Sequence, residues 1–248
     1  MKNRMKVVAT IEARMGSSRL PGKTLAPILG RPMLELLVER LKRCRLVDQI
    51  VIATTYDPAD QIIEELARRL QIGCFRGSVD NVLQRVLQAA QSHSADLIVE
   101  TTGDNPLIDP EIVDQLVTLF LSGAYDYVSN DLQETFPDGL NAKLFLTKTL
   151  ADVDELTQDP LDQEHVSLYI YEHPERYRLG NLAAPPDLHR PDIRLTVDTA
   201  EDLALVSRIF ESLYPQNPEF SARDIVRLLD KCSEWLGINR HIQQKPVH

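Results

Sequence analysis

The stretch Val7-Val-Ala-Thr-Ile-Glu-Ala-Arg-Met-Gly-Ser-Ser-Arg-Leu-Pro-Gly-Lys23 joins a short apolar run to a loop that contains three cationic residues. The first five residues are β-branched or small and predict a buried strand that ends at Ile11. The loop carries Arg14, Arg19 and Lys23 with small residues between them. A strand that leads into such a loop is typical of α/β folds, in which ligands bind at the carboxyl ends of parallel strands.

The end of this loop resembles a P-loop without matching it. Gly22-Lys-Thr24 is the tail of the pattern G-x-x-x-x-G-K-[ST], which requires its first glycine where this chain has Ser17. Gly16 lies one residue too early, and Pro21 removes an N–H where a P-loop uses backbone amides to hold phosphate. A P-loop kinase is therefore the weakest of the candidate functions.

The cationic loop has two interpretations. It is either a triphosphate-binding loop, whose small residues let backbone amides approach phosphate oxygens, or a solvated basic loop. Its position at the end of a predicted strand favours binding.

The composition of the 248 residues is that of an ordinary globular protein, with 43% hydrophobic and 26% charged residues. A formal net charge of -10 makes non-specific binding to nucleic acid or to a membrane surface unfavourable. We find no signal peptide and no apolar run of about 18 residues. Cys44, Cys74 and Cys232 form no C-x-x-C pair, which is typical of a reduced, cytoplasmic protein.

Strand and helix patterns alternate along the first half of the chain. The predicted strands are 7–11, 49–53, 73–76, 96–100 and 125–129, and the predicted helices are 32–44, 58–70, 80–91 and 110–120. Asp57-Pro58 and Asp109-Pro110 each place a capping Asp before a Pro at the first helical position. The alternation predicts an α/β fold, a Rossmann-like, mostly parallel sheet with helices on both faces.

The second half has a less regular pattern. It predicts turns around Pro137-Asp-Gly139, strands at 177–182 and 193–197, and helices at 163–172, 200–214 and 221–231. Thr199 and Asp202 resemble a capping box at the start of the helix at 200–214. We find no linker, so residues 1–230 are interpreted as one domain, followed by a C-terminal tail, 231–248, that is loose from Asn239 onward.

Two aspartates follow predicted strands, and each has two interpretations. Asp104, in Thr101-Thr-Gly-Asp-Asn-Pro106, is either a ligand of Mg²⁺ or part of an ordinary turn. Asp198 is either a second ligand of the same ion or a helix cap, a role for which Thr199 competes. No spacing rule shows that the two carboxylates meet.

A fourth loop, Phe136-Pro-Asp-Gly-Leu140, and the pair Glu164-His165 complete the candidates. A single His beside a Glu is more often structural than catalytic. The sequence contains no H-E-x-x-H metal motif and no G-x-S-x-G nucleophile motif, so a covalent hydrolase is not favoured.

Taken together, these blocks resemble the CTP-dependent nucleotidyltransferases that activate acidic sugars. This group includes the CMP-sialic-acid synthetases, the Kdo cytidylyltransferases and, most similar, the spore-coat polysaccharide cytidylyltransferase-like proteins. The resemblance extends to about Leu229 and rests on five blocks in family order, which are 13–23, 102–110, 136–140, 164–166 and 194–203. It departs from spore-coat relatives at Asn141-Ala142, where they have acidic residues, and Asn105 is unusual in the Gly-Asp-x-Pro block.

The resemblance implies a nucleotide-diphospho-sugar transferase-like fold with an inserted β-rich arm at about 130–185 that forms a homodimer. It implies nucleotide binding by Ala13, Arg14, Gly16, Ser17, Arg19, Lys23, Arg76 and Thr102. It implies Mg²⁺ on Asp104 and Asp198, with catalysis by these two residues together with Arg14 and Lys23. On the acceptor side we expect Asp138, Gly139, Glu164, His165 and Arg194.

The expected activity is the transfer of CMP from CTP to an acidic acceptor, either a sugar acid or a phosphonate, in surface glycan biosynthesis. The expected partners are CTP and a small acidic acceptor, with neither nucleic acid nor membrane. Two alternatives stay open: a transferase that uses another nucleotide, and a non-catalytic nucleotide-binding protein on the same fold.

Overall fold

The computed structural model describes residues 4–244. Nine strands and nine α-helices are assigned within this range. The strands are β1 (Val7–Glu12), β2 (Pro27–Ile28), β3 (Arg31–Pro32), β4 (Gln49–Thr55), β5 (Gly73–Gly77), β6 (Leu97–Thr102), β7 (Tyr127–Ser129), β8 (Lys143–Leu146) and β9 (Leu179–Asn181). The helices are α1 (Met33–Leu41), α2 (Gln61–Leu70), α3 (Val82–Ser92), α4 (Pro110–Ser122), α5 (Thr147–Leu156), α6 (Pro160–Glu164), α7 (Leu168–Glu172), α8 (Ala200–Leu213) and α9 (Ala222–Lys231).

Seven strands form one sheet in the order β5-β4-β1-β6-β8-β7-β9. Strands β5, β4, β1 and β6 are mutually parallel, β8 runs antiparallel to both of its neighbours, and β9 is parallel to β7. The predicted mostly parallel α/β sheet is therefore confirmed. The small strands β2 and β3 form a separate antiparallel pair.

Alternate side chains of β1 pack into two hydrophobic cores, one on each face of the sheet. Val7, Ala9 and Ile11 pack into the larger core with α1, α4, α8 and α9, whereas Val8 packs into the smaller one with α3 and α5. Successive side chains of a strand point to opposite faces, so a strand that is apolar at every position is buried on both sides. This packing brings the loops after β1 and β6 to one edge of the sheet.

The buried side chain of Arg40 fixes two of the loops that lead to this edge. Its Nε donates to the carbonyl of Ile108 at 2.7 Å, and its Nη1 donates to the carbonyl of Phe220 at 3.1 Å. The guanidinium carbon also lies 4.4 Å from the centre of the Phe220 ring. Arg40 thus ties the loop after β6 to the segment before α9 and satisfies carbonyls that would otherwise be buried unpaired.

The three predicted caps are confirmed. Asp57 accepts a hydrogen bond from the amide of Ala59, and Asp109 accepts one from Glu111. Thr199 and Asp202 form the full capping box at the start of α8.

The predicted strand at 193–197 is wrong. This segment makes one isolated bridge, between Arg194 and Asp138, and forms no ladder. Its apolar residues are buried because the segment passes between two loops: the amide of Leu195 donates to Asp138 O at 2.7 Å and that of Val197 to Asp104 O at 2.8 Å. Burial, and not strand pairing, explains the alternating pattern.

Three further expectations for the second half need correction. The segment 130–185 is not β-rich, since its two short strands join the main sheet and its three helices contain more residues than those strands. The predicted helix at 163–172 is two helices, α6 and α7, separated by Val166 with a left-handed φ of 52°. The tail is not loose at Asn239, which is buried and donates to Asp202 Oδ1 at 2.9 Å; residues 245–248 lie outside the described range.

Candidate active site

The cationic loop leaves the carboxyl end of β1 and folds back on itself. The amide of Gly22 donates to Met15 O at 3.1 Å, and Thr24 Oγ1 donates to Arg14 O at 2.9 Å. A second anchor comes from the amide of Met15, which donates to Asp60 Oδ1 at 2.7 Å. The loop continues into a short 3-10 turn and the β2–β3 pair, and not into the α-helix that a P-loop requires.

Asp104 and Asp198 meet. Lys23 Nζ lies 2.9 Å from Asp104 Oδ2 and 2.7 Å from Asp198 Oδ1, so one ammonium group bridges the two carboxylates. Thr102 Oγ1 donates a hydrogen bond to the other oxygen of Asp104. The chain therefore brings the end of β1, the end of β6 and the segment before α8 to one point.

The close contact between the loop after β1 and the loop after β6 requires a glycine directly after β6. The amide of Gly103 donates to Glu12 O at 2.8 Å. A Cβ at position 103 would lie 2.9 Å from the same carbonyl oxygen, a separation that real Cβ atoms do not show. Gly103 thus lets the Asp104 loop approach the end of β1.

Asp198 is surrounded by cations. Arg19 lies 2.9 Å and Arg194 2.7 Å from its Oδ2, on the side opposite Lys23. Burial alone would raise the pKa of Asp198, but the hydrogen bond from Lys23 and the charges of Lys23 and Arg19 bring it below its ordinary value. Burial would likewise lower the pKa of Lys23, yet the two aspartates raise it. Both groups therefore stay ionised at neutral pH.

Arg194 is fully engaged by its neighbours. Its Nε donates to Asp202 at 3.1 Å, its Nη1 to Asp138 at 3.0 Å and to Gln244 at 2.7 Å, and its Nη2 to Asp198 at 2.7 Å. Such a guanidinium orients the carboxylates around it. Its predicted role in binding the acceptor stays a prediction, but the geometry favours a role in positioning Asp138 and Asp198.

Glycine is required in the Phe136–Leu140 turn. Gly139 has a φ of 98°, and a Cβ there would lie 2.6 Å from the carbonyl carbon of Leu195. The turn is held against the Arg194 segment by the amide of Asp138, which donates to Ile193 O at 2.9 Å. Burial raises the pKa of Asp138 to about 6, against the opposing charge of Arg194.

Gly139→Ala should therefore destabilise the protein. A left-handed φ and a backbone clash together cost on the order of 2–3 kcal/mol. Urea denaturation measures the loss, with Gly237→Ala as the control, because a Cβ at Gly237 meets nothing within 4 Å. Equal free energies of unfolding for the two variants would contradict the strained turn.

A cavity of about 820 Å³ opens beside Asp104 and contains most of the expected acceptor-side residues. Asp138, Glu164, His165 and Arg194 all line it, and Gly139 shapes the turn at its wall. The break between α6 and α7 explains how Glu164 and His165 reach the cavity, since the left-handed Val166 redirects the chain directly after them.

The remaining nucleotide-side candidates lie around the ends of β1, β4 and β5. Arg14 and Gly16 are exposed, and Ala13 is buried under the loop. Arg14 Nη1 reaches the carbonyl of Val79 at 3.4 Å, which connects the first loop to the loop after β5. Arg76 donates to the carbonyls of Thr55 and Asp57, each at 2.8 Å. Ser17 Oγ accepts from the amide of Leu20 at 3.4 Å.

Sequence reasoning missed several residues of this region. The sequence predicts only a capping role for Asp202, but in the structure its carboxylate also accepts hydrogen bonds from Arg194 and Asn239. Lys143 lines the cavity, and Glu100 lies next to it. A single Lys in a short strand-like segment gives no sequence signal, because its position depends on which strand pairs with β8.

The described residues 4–244 contain neither a cluster of metal-ligating side chains nor a helix that could span a membrane. No group of three or more His, Cys, Asp and Glu side chains is arranged to hold a metal ion. None of the helices in this range has the length and apolar character required to cross a membrane.

Comparison with known proteins gives consistent matches over nearly the whole chain. A family model described as "Cytidylyltransferase" matches residues 8–223. The spore coat polysaccharide biosynthesis protein SpsF of Bacillus subtilis is 34% identical over 232 residues, covering 91% of this chain and 94% of that protein. A 3-deoxy-manno-octulosonate cytidylyltransferase of Geobacter metallireducens is 25% identical over 258 residues, covering 93% and 99%.

A solved structure has the same architecture. The structure of a cytidylyltransferase from Leptospira borgpetersenii serovar Hardjo-bovis superposes with a TM-score of 0.90 at 32% identity. The match covers 98% of this chain and 100% of that chain.

Proposed function

The chain belongs to the cytidylyltransferase family, and we propose that it transfers CMP from CTP to a sugar acid, with Mg²⁺ bound by Asp104 and Asp198. The proposal rests on one observation above all. Asp104, Asp198 and Lys23 converge from three distant parts of the chain, between a cationic loop and a cavity large enough for a sugar. A role in surface glycan biosynthesis is proposed by analogy with the named relatives.

In the proposed reaction, a hydroxyl oxygen of the acceptor attacks the α-phosphorus of CTP. The new bond joins the acceptor oxygen to this phosphorus, while the O–H bond of the acceptor breaks and its proton passes to water. The bond from the phosphorus to the oxygen that bridges to the β-phosphate breaks, and pyrophosphate leaves with that oxygen. No covalent bond to the protein is needed. The protein contributes by holding the reactants in line and by placing positive charge where negative charge develops.

The cationic loop supplies that charge. Arg14 is exposed at the loop surface, and Arg19 and Lys23 lie on either side of Asp198. In the structure Arg19 and Lys23 neutralise carboxylates, so binding of a triphosphate requires them to exchange an aspartate partner for a phosphate. The exchange preserves ion pairing, because each cation keeps an anionic partner throughout.

The donor set fits Mg²⁺. The two carboxylates lie close enough to share one ammonium group, and Thr102 Oγ1 lies beside Asp104. Mg²⁺ takes oxygen ligands, keeps several waters and is usually held by one or two carboxylates together with substrate phosphates, so two protein ligands suffice. When bound, it would polarise the α-phosphoryl group and orient the oxygens around it.

Nucleotide binding, measured by calorimetry, tests the proposal without knowledge of the acceptor. We expect binding of CTP that depends on Mg²⁺, with UTP, GTP and ATP binding at least tenfold more weakly. Preference for another base would keep the reaction class but reject CTP. Absence of binding by all four nucleotides would favour either a non-catalytic protein or an order of binding in which the acceptor binds first.

The homodimer also remains a prediction. Sedimentation velocity on the full chain measures the oligomeric state, and a monomer at micromolar concentration would contradict it.

A further inference from the structure

We propose that Lys143 binds the carboxylate of the acceptor and thereby selects a sugar acid over a neutral sugar. The inference rests on the proposed function and extends it, because it names the group that is recognised and the residue that recognises it. Lys143 begins β8, and its side chain, 26% exposed, forms part of the cavity wall that also contains Asp104. It therefore lies on the acceptor side of the candidate active site.

The position of Lys143 is fixed by strand pairing. It lies directly opposite Glu100 in the antiparallel pair β6–β8 and directly opposite Ser129 in the pair β7–β8. A residue held between two neighbouring strands has little freedom to move its backbone. The ammonium group is thus presented to the cavity from a rigid element, which is the condition for selective binding.

Lys143 also has binding capacity that Arg194 lacks. All three guanidinium nitrogens of Arg194 already donate to protein partners. The Nζ of Lys143 lies 3.9 Å from Glu100 Oε1, beyond the 2.7–3.2 Å of an ordinary N–H···O hydrogen bond. A lysine ammonium has three donors, so an incoming carboxylate can be bound without breaking a short ion pair.

The two carboxyl groups behind Lys143 carry less negative charge than two exposed carboxylates would. Glu12, on the neighbouring strand β1, lies near Glu100, and burial is the main reason that the pKa of both carboxyl groups is raised, with the charge of Glu100 adding to the shift of Glu12. The pair therefore retains a proton more readily than two exposed carboxyls. Burial would lower the pKa of Lys143, but Glu100 and its other neighbours raise it, so the ammonium stays charged.

The rest of the wall fits the remainder of a sugar acid. Amide groups of Asn130 and Asn141 and carboxylates of Asp131 and Glu164 also line the cavity. Such groups hydrogen bond to hydroxyls, and the carboxylates would repel a second negative charge nearby. Arg194, whose nitrogens are engaged by protein partners, and the exposed Arg240 are the other cations on this wall. A strand-held ammonium group among amides and acids matches a ligand with one carboxylate and several hydroxyls better than a doubly charged phosphonate.

The test compares each acid with its own carboxamide. Pyrophosphate release from CTP is measured with 3-deoxy-manno-octulosonate and N-acetylneuraminate, and with the carboxamide of each, for the wild type, Lys143→Met and Lys143→Arg. We expect the wild type to prefer an acid over its amide by about 100-fold in kcat/KM, which corresponds to one charge-assisted contact of about 2.7 kcal/mol. Lys143→Met should lower this preference to threefold or less through the KM of the acid, with the KM for CTP unchanged, and Lys143→Arg should keep most of it.

Each outcome separates the inference from the function on which it rests. A wild type that uses neither the acids nor the amides would reject the proposed function, and the inference with it. A wild type that prefers the acids while Lys143→Met keeps that preference would reject the inference alone. CTP binding by calorimetry confirms that each variant is folded, and if Lys143→Met does not fold, Lys143→Gln replaces it in the same comparison.

Discussion

Asp104→Asn is expected to lower turnover by about 10²- to 10³-fold without unfolding the protein. The substitution keeps the size of the side chain and removes its charge. Thr102 Oγ1 and Lys23 Nζ now donate to different oxygens of Asp104. In the variant the amide oxygen can still accept from Lys23 Nζ, and the amide nitrogen can donate to Thr102 Oγ1, because a hydroxyl group also accepts. Turnover should therefore decrease because the charged transition state is less stabilised and Mg²⁺ binds more weakly. The free energy of unfolding should change little.

The dependence on Mg²⁺ concentration gives the sharper readout. If Asp104 is a metal ligand, half-maximal activity of Asp104→Asn should require at least tenfold more Mg²⁺ than the wild type, and removal of Mg²⁺ by EDTA should abolish both activities. Asp152→Asn is the matched control, because Asp152 is exposed on α5, outside the candidate site. A wild-type rate and Mg²⁺ dependence in Asp104→Asn would reject the assignment of this residue.

The central sheet could be predicted from the sequence because its signals are local. Strands such as β1 and β6 are apolar on both faces, and the caps at Asp57, Asp109 and Thr199 mark where helices begin. Each signal depends on a few consecutive residues and on burial that the fold as a whole requires. Because Asp104 and Asp198 each follow a predicted strand, the sequence also allows the hypothesis that their carboxylates lie close together.

Contacts that depend on register could not be predicted in this way. Lys143 lies opposite Glu100 only because β8 inserts antiparallel between β6 and β7, a fact that no local pattern records. The break at Val166 has the same origin, since a β-branched residue with a left-handed φ is unfavourable by itself and exists only where the surrounding structure imposes it. The unpredicted features thus cluster around the acceptor cavity, where tertiary contacts determine the backbone conformation and the strand register.

Lys23→Met is expected to abolish nearly all turnover and to increase the response of the free protein to Mg²⁺. The ammonium group now lies between the two carboxylates to which we assign the metal. In the nucleotide-free wild type, Lys23 and Mg²⁺ therefore compete for Asp104 and Asp198. Without the ammonium, Mg²⁺ alone should bind more tightly, although CTP binding weakens because the triphosphate loses a cation.

Thermal unfolding separates these effects. Without Mg²⁺, Lys23→Met should lose on the order of 2 kcal/mol, less than the ~3–5 kcal/mol for breaking a fully buried pair, because Arg19 and Arg194 still neutralise Asp198. Millimolar Mg²⁺ should raise the Tm of Lys23→Met by several degrees and that of the wild type by much less. The control is Lys148→Met, at an exposed position on α5.

An equal response of Lys23→Met and the wild type to Mg²⁺ would show that Lys23 does not occupy the place of the metal. Its ion pairs with Asp104 and Asp198 would then be permanent, and the cation would not be available to the triphosphate. A larger response of Lys23→Met would support the exchange of partners that the proposed reaction requires. Lys23 would then neutralise Asp104 and Asp198 before CTP binds and the phosphates afterwards. The two carboxylates would always have a cation between them, first the ammonium group and then Mg²⁺.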